Sequence, residues 1–370
     1  MDKKLKIAII GSRGYPYVYS GYETLVKELS ERLVERGHNV RVYCHSSLFT
    51  KKPKFVNGIE LVYTPSIETK FLSQFINSFF SFLHICFSKI DIVLVVNSAN
   101  GPFGIFTKIF RKKTCINVDG LEWLRPKWKG FGSIYFKVSS KLATLFFDQV
   151  ITDSVEMRKV YLNLFKKDSK VIAYGANIRK SESPQIINKL NLKQREYYLI
   201  IGRLIPDNNA DIIINGFIRS NSKKKLVVVG DVPYKDSYVS NLKKINDGRL
   251  VFTGYVKDQN LLAELYHNCY VYLHGHEFGG TNPTMIKAMA YGSAILALDT
   301  VFNNEMLQKG KFGLFFKKEL ISVTNQINHC EKEKLLIDNL KQESVNGISQ
   351  KYNWDFIAKE YLKVFKNLVS

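Results

Sequence analysis

The stretch Lys6-Ile-Ala-Ile-Ile-Gly-Ser-Arg-Gly14, with Gly21-Tyr-Glu-Thr-Leu-Val-Lys-Glu-Leu29 close behind it, decides the fold of this chain. Ile7 to Ile10 is an apolar run of strand length that ends in a glycine loop. After the loop, Tyr22, Leu25, Val26, Leu29 and Leu33 recur at helical spacing, Glu28 and Arg32 form an i,i+4 pair, and Gly37 supplies the stop. Strand, glycine loop and helix make one mononucleotide-type unit. Such a loop, with Gly14 and Gly21 as its candidate contacts, brings bare backbone N–H groups near an anion at a helix start. A plain strand-to-helix turn reads the same way. The glycines do not spell G-x-G-x-x-G, and the second strand ends in Cys44-His45 where a dinucleotide fold keeps an acid, which argues against a nucleotide-sugar epimerase or dehydrogenase.

Outward from this unit the same rhythm continues. Val40–Tyr43, Leu61–Tyr63, Ile92–Val96, Cys115–Val118 and Val150–Thr152 read as further strands separated by amphipathic stretches, the pattern of a parallel sheet with crossover helices. After a polar segment from Arg179 to Glu196, a second alternation begins with Tyr197–Ile201, Leu226–Val229, Leu250–Phe252, Val271–Leu273 and Ala294–Leu298. A chain of 370 residues exceeds what one core accommodates, so the class is α/β with two Rossmann-like domains. Between Phe71 and Ser88 there is no charged residue, and Gln74, Asn77, Ser81, His84 and Ser88 form a polar stripe beside a Phe-rich face. This segment is too short and too polar on one side to span a bilayer, and it reads as a crossover helix on the sheet, ahead of a membrane-surface helix.

The net charge of +21 is uneven: 29 Lys and Arg against 14 Asp and Glu up to Lys180, then 25 against 19. A basic first half attracts polyanions, whether nucleic acid, anionic lipid or a phosphorylated substrate. The five cysteines are scattered with no C-x-x-C pair, which speaks against a disulfide framework or a zinc site and fits a reducing, cytoplasmic setting. The amino-terminal apolar run is too short for a signal peptide, so the mature chain is expected to begin here.

In the second half, Gly202-Arg203 follows a strand directly, and Pro206-Asp-Asn-Asn209 opens a helix. An arginine at a strand's carboxyl end points toward the crevice where open α/β sheets bind ligands, and its fork suits a diphosphate. The most informative stretch is His274-Gly-His-Glu-Phe-Gly-Gly-Thr-Asn-Pro-Thr-Met-Ile-Lys-Ala-Met-Ala290. It passes from a strand end through Gly279-Gly280, offers Thr281 or Asn282 as an N-cap and sets Pro283 at the first helical position. The dipole and free N–H groups of that helix would stabilise charge on a leaving phosphate. His274, His276 and Glu277 lie close together, but i and i+2 spacing without a third partner does not make a metal site. No two aspartates are spaced Asp-x-Asp, so no metal and no other cofactor is expected.

These residues carry a resemblance. The chain resembles GT-B glycosyltransferases of family 4, and within them a rhamnosyltransferase-like subgroup of bacterial surface polysaccharide assembly. The likeness rests on Gly11 to Thr24, Asn117-Val-Asp-Gly-Leu-Glu-Trp123 with Lys127-Trp128, Gly202 to Asn209, Gly230-Asp-Val-Pro-Tyr234, His274 to Ala290, Val301-Phe-Asn-Asn-Glu305 and Tyr352-Asn-Trp354. It implies two Rossmann-like domains facing across a cleft: an acceptor-side domain over 1–178, a nucleotide-sugar-binding domain over 195–350, and a terminal helix over 351–370 that returns to the first domain. It also implies roles. Arg203 would hold the donor diphosphate; Asn208 stands where many relatives keep a phosphate-binding lysine. Gly279 and Lys287 occupy the two ends of a stretch where the wider family has Glu-x7-Glu, so Gly280, Thr281, Asn282 and Lys287 would meet the donor in another way. Asp119, by the same resemblance, orients the acceptor, with Glu23, Glu122, Trp123, His274 and His276 lining the cleft, and Asp119 as a turn aspartate is the plainer alternative.

The function expected on these grounds is metal-independent, retaining transfer of a hexosyl or deoxyhexosyl unit, foremost L-rhamnose, from a dTDP-, UDP- or GDP-linked donor to a polyprenyl-diphosphate-linked glycan. The basic first domain, with Arg111-Lys-Lys113 and the Arg125, Lys127, Lys129 cluster, would meet an anionic membrane surface at the inner face of the plasma membrane. The rival is a non-catalytic or nucleic-acid-binding basic Rossmann-like protein, but no nucleic-acid module interleaves the basic residues and no nucleic-acid partner is expected.

Overall fold

The structure is a computed structural model in which residues 3–16, 21–67, 72–126, 128, 130–232 and 236–370 are described. The chain divides into two compact units, one of Met1–Tyr174 with Trp354–Ser370, the other of Gly175–Asn353.

The first unit holds eight strands: β1 (Lys6–Ile10), β2 (Asn39–His45), β3 (Phe55–Val56), β4 (Ile59–Thr64), β5 (Ile92–Val96), β6 (Thr114–Val118), β7 (Gln149–Thr152) and β8 (Lys170–Val171). They lie in the order β3-β4-β2-β1-β5-β6-β7-β8, all parallel except β3, which pairs antiparallel with β4. Strands covered on both faces need apolar residues at every position, which is why Ile92–Val96 is buried throughout. The winding reverses between β1 and β5, and this switch point is where the loops following those two strands part. The helix Trp354–Val369 packs beside Gly21–Glu35 in this unit, with Arg36 paired to Asp355 at 3.1 Å and Asn117 donating to the Tyr361 hydroxyl at 2.7 Å.

The helix Leu72–Cys86 packs on the sheet by its polar stripe as well as by Phe82 and Ile85. Asn77 donates to Thr64 Oγ1 at 2.7 Å, Ser78 donates to Asn100 Oδ1 at 2.6 Å, and Ser81 shares a hydrogen bond with Thr64 at 2.9 Å. Ser78, Ser81 and the Asn77 amide nitrogen are therefore partnered, and Phe75, Phe79 and Phe80 are left on the outer side.

The second unit is a six-stranded sheet of β9 (Tyr197–Ile201), β10 (Lys225–Val229), β11 (Leu250–Gly254), β12 (Val271–His274), β13 (Ile295–Leu298) and β14 (Leu314–Phe316). Its order is β11-β10-β9-β12-β13-β14, parallel throughout, so its switch point lies between β9 and β12. Tyr198, Phe217, Leu226, Val228, Leu273 and Leu296 are central to its core.

The segment near residues 175 to 195, which the sequence suggests as a linker between the two alternations, belongs to this second unit. Glu264 explains the attachment: its buried carboxylate accepts from Ser181 Oγ at 2.6 Å, from the Glu182 and Ser183 N–H groups at 2.8 and 2.9 Å, and from Asn268 at 2.9 Å. Those donors outweigh desolvation and hold the carboxyl below the usual glutamate range, on the side of its charged form. Glu264→Ala is expected to destabilise the protein by about 2–4 kcal/mol in urea unfolding, because two backbone N–H groups lose their acceptor; a change below roughly 0.5 kcal/mol would contradict this role.

Candidate functional site

In the first unit, chemistry-bearing residues collect at the carboxyl ends of the strands. Asp119 follows β6 and is gripped by two tyrosines: the Tyr22 hydroxyl donates to Oδ1, and the Tyr174 hydroxyl donates to Oδ2 at 2.7 Å. Tyr22 comes from the first turn of the helix Gly21–Glu35 and Tyr174 from the segment after β8, so three separated parts of the chain fix one carboxylate. Desolvation pushes the Asp119 carboxyl above the usual aspartate range, against the two tyrosine hydrogen bonds and Arg125, which pull it down. Both tyrosines are pushed well up, first by burial and then by the Asp119 charge. The turn-aspartate alternative is not what the side chain does. The tyrosines were invisible as a pair in sequence, since Tyr22 reads only as one position of a helical repeat.

Other candidates of this unit have different tasks. Glu23 is buried, and its Oε1 accepts from the Arg13 N–H at 3.1 Å, fixing the loop after β1. Gly14 sits where a Cβ would fall 2.8 Å from Cys44 Sγ, so packing alone demands a glycine there. Gly21 opens its helix; the neighbouring residues 17–20 lie outside the described residues, as do Lys127 and Lys129. Glu122 is engaged internally, accepting from Trp128 Nε1 at 2.7 Å and pairing with Arg125 at 3.1 Å. Trp123 corrects the sequence expectation: its ring is buried against Tyr161 and Phe165, so it belongs to the core and not to a ligand surface. A cavity of about 520 Å³ lined by Lys6, Arg41, Glu60 and His84 opens at the opposite, amino-terminal edge of the sheet, away from these loops.

In the second unit, the loops after β9, β10 and β12 are in backbone contact. A Cβ on Gly275 would stand 2.2 Å from the Asn208 carbonyl oxygen, and one on Gly230 would stand 1.9 Å from that of Gly202. Asn209 donates to the Gly275 carbonyl at 2.8 Å, the Glu277 N–H donates to the Asp207 carbonyl at 3.1 Å, and His276 Nδ1 lies 2.9 Å from Asn208 Oδ1. Asn208 in turn donates to the Arg203 carbonyl at 2.7 Å. Arg203 is exposed at the end of β9, and among the described residues its guanidinium has no hydrogen-bond or ion-pair partner. The buried Gly279 and Gly280 N–H groups likewise have none among the described residues. A guanidinium fork and two backbone N–H groups on touching loops are donors of the kind that bind an anion.

The helix Pro283–Ala290 is less open at its start than the sequence suggests. Asn282, not Thr281, is the N-cap, accepting from the Thr284 N–H at 3.0 Å and from Thr284 Oγ1 at 2.7 Å. Thr281 is buried. With Pro283 lacking an N–H and Ile286 bonded back to Asn282, the first turn keeps only the Met285 N–H, so the glycines before the cap supply most of the donors. Lys287 is half-buried on this helix. His274 is a second correction: it is buried, with its Nδ1 3.1 Å from the Tyr272 hydroxyl, so it is not an exposed contact. Glu277 pairs with Lys318 at 2.5 Å, so His274, His276 and Glu277 turn to three different partners, and no cluster of three metal-ligating groups occurs among the described residues.

Residues 195–330 match the family described as "Glycosyl transferases group 1", and residues 4–177 match a "Domain of unknown function (DUF1972)". The chain is 27% identical to an uncharacterized glycosyltransferase of Methanocaldococcus jannaschii, with 100% of both chains covered. It is 24% identical to the N,N'-diacetylbacillosaminyl-diphospho-undecaprenol alpha-1,3-N-acetylgalactosaminyltransferase of Campylobacter jejuni, over 70% of this chain and 75% of that one. Among solved structures, HepE of Anabaena in complex with UDP aligns at a TM-score of 0.77 and 17% identity, covering 98% of this chain and 100% of that one. The chain therefore has the GT-B fold, and its residues 195–330 are similar to the group 1 glycosyltransferases.

His274 gives a pH dependence. Desolvation pushes its imidazole from 6.5 down to about 3, so the native protein leaves it neutral where the unfolded chain takes up a proton. Its contribution is full above 6.5 and is lost as pH falls toward 3, at about 1.4 kcal/mol per pH unit once well below the unfolded value. His274→Gln is expected to show a shallower loss of urea stability than the wild type as pH is lowered from neutral to about 5; equal slopes would mean that the ring is solvated.

Proposed function

We propose that the protein transfers a glycosyl unit, foremost L-rhamnose, from a nucleoside-diphosphate sugar to a hydroxyl of a polyprenyl-diphosphate-linked glycan, in assembly of a surface polysaccharide such as an O-antigen or capsule. The observation that carries this reading is the switch point of the second unit, where the loop bearing the unpartnered Arg203 guanidinium touches, through Asn208 and Gly275, the loop that leads to the Gly279 and Gly280 N–H groups, within the residues that match the group 1 model. A diphosphate supplies the acceptor oxygens these donors lack, and the same contacts strengthen as charge builds on the leaving group. HepE binds UDP and the Campylobacter relative's name specifies a diphospho-undecaprenol substrate, which supports both substrate classes.

In the proposed step the bond from the sugar's anomeric carbon to the donor phosphate breaks, the acceptor oxygen bonds to that carbon on the same face, and the acceptor proton passes to the departing phosphate. No metal is required, since Arg203, the glycine N–H groups and the helix dipole carry the charge. Asp119 acts on the acceptor: with each oxygen held by one tyrosine, it keeps lone pairs for a sugar hydroxyl. Asn208 and His276 hold the Arg203 loop in place, Asn282 caps the helix and Lys287 supports its phosphate-facing charge. The enzyme works at the cytoplasmic face of the membrane, where such acceptors reside.

The test is transfer from dTDP-rhamnose, and from UDP- and GDP-linked hexoses, to a polyprenyl-diphosphate-linked sugar in EDTA, followed by mass spectrometry. Arg203→Ala is expected to lose roughly 100-fold or more in rate together with nucleotide binding. Asp119→Asn is expected to lose transfer while still binding the nucleotide, with a thermal midpoint at or above wild type because a desolvated charge is removed. Transfer by the Arg203 variant at the wild-type rate, or no transfer from any donor, would overturn the proposal.

A further inference from the structure

The helices Leu72–Cys86, Gly104–Ile109 and Phe131–Phe146 pack side by side in the first unit. The first contacts the second through Phe79 and Phe106, with ring centroids 5.9 Å apart, and the turns after them meet through Phe87 and Phe110 at 5.1 Å. The second holds the third through Lys108, which donates to the Leu145 carbonyl at 2.8 Å.

Their outer side is apolar. Phe79, Phe80, Phe87, Ile109, Phe131 and Ile134 are all exposed, Phe87 at 73% and Phe131 at 93%. On the first helix Asn77, Ser78 and Ser81 share the inward side with Phe82 and Ile85, and Phe79 and Phe80 are left facing out. Large apolar residues exposed on three neighbouring helices mark an interaction site.

Charge identifies the occupant. Between Leu72 and Ile90, Gly104 and Lys113, and Phe131 and Phe147, there is no aspartate or glutamate, while Lys108, Arg111, Lys113, Lys137 and Lys141 are exposed among the apolar residues. Two copies of such a face would repel each other, whereas an anionic lipid surface attracts the cations and accepts the rings. No helix among the described residues is long and apolar enough to cross a membrane, so the contact is with the surface.

We propose that these three helices form a membrane-docking face that seats the first unit on anionic phospholipid, with Phe87 and Phe131 entering the headgroup region. This deepens the lipid-linked acceptor reading and rests on it for its purpose, but not for its test.

The test is flotation of the full chain with vesicles of phosphatidylcholine containing phosphatidylglycerol, against phosphatidylcholine alone, for wild type, a Phe87→Glu/Phe131→Glu variant and a Lys137→Glu/Lys141→Glu variant. Both altered pairs are exposed, so folding is retained; nucleotide binding by each variant verifies this and reports separately on the donor site. Wild type is expected to float with the anionic vesicles, and each variant to lose roughly tenfold or more in vesicle affinity. The proposal is overturned by wild type that stays in the soluble fraction, by variants that float as well as wild type, or by a wild-type dimer in light scattering that the Phe87→Glu/Phe131→Glu variant dissolves.

Discussion

The arrangement of the second unit depends on one steric constraint: the loop after β9 meets the loops after β12 and β10 with no room for a side chain between them. The Gly275 Cβ position lies 2.2 Å from the Asn208 carbonyl oxygen, and the Gly230 position lies 1.9 Å from that of Gly202. Because the loops touch through backbone, the segments that carry Arg203 and lead to Gly279-Gly280 are fixed by their neighbours. The hydrogen bonds through Asn208, Asn209, His276 and Glu277 complete the same joint. Preorganised donors cost little to reorder when an anion arrives, which is the property a charge-stabilising site requires.

The first unit meets a comparable demand with side chains. Asp119 is kept at a strand end by the Tyr22 and Tyr174 hydroxyls, in surroundings that oppose its charge. A solvated turn aspartate needs no such clamp. The raised carboxyl is a stability cost located at a candidate site, and structures tend to retain such a cost where a charge is used.

What the sequence makes legible follows physical range. β1, β5 and β9 were readable because strands buried on both faces must be apolar without interruption, and the loop at Gly202-Arg203 because a glycine and a cation stand directly after one of them. β3, β8 and β14 are two or three residues long and leave no period to detect. Contacts between distant segments were out of reach: Glu264 drawing in Ser181, Tyr174 reaching Asp119, and Trp123 packing on Tyr161 are separated widely along the chain. The helix after β4 shows a subtler limit. Its polar stripe was evident, but periodicity does not say which stripe faces inward, and the partners Thr64 and Asn100 decided it.

The central claim is that the switch point of the second unit receives a nucleoside diphosphate. Hydrogen–deuterium exchange of the full chain, with and without saturating dTDP, UDP or GDP in EDTA, tests it most directly. Slowed exchange of the amides in 202–209 and 275–285 with one of these nucleotides is the result expected. Binding without protection there, protection confined to the loop after β1, or no response to any of the three would contradict the account.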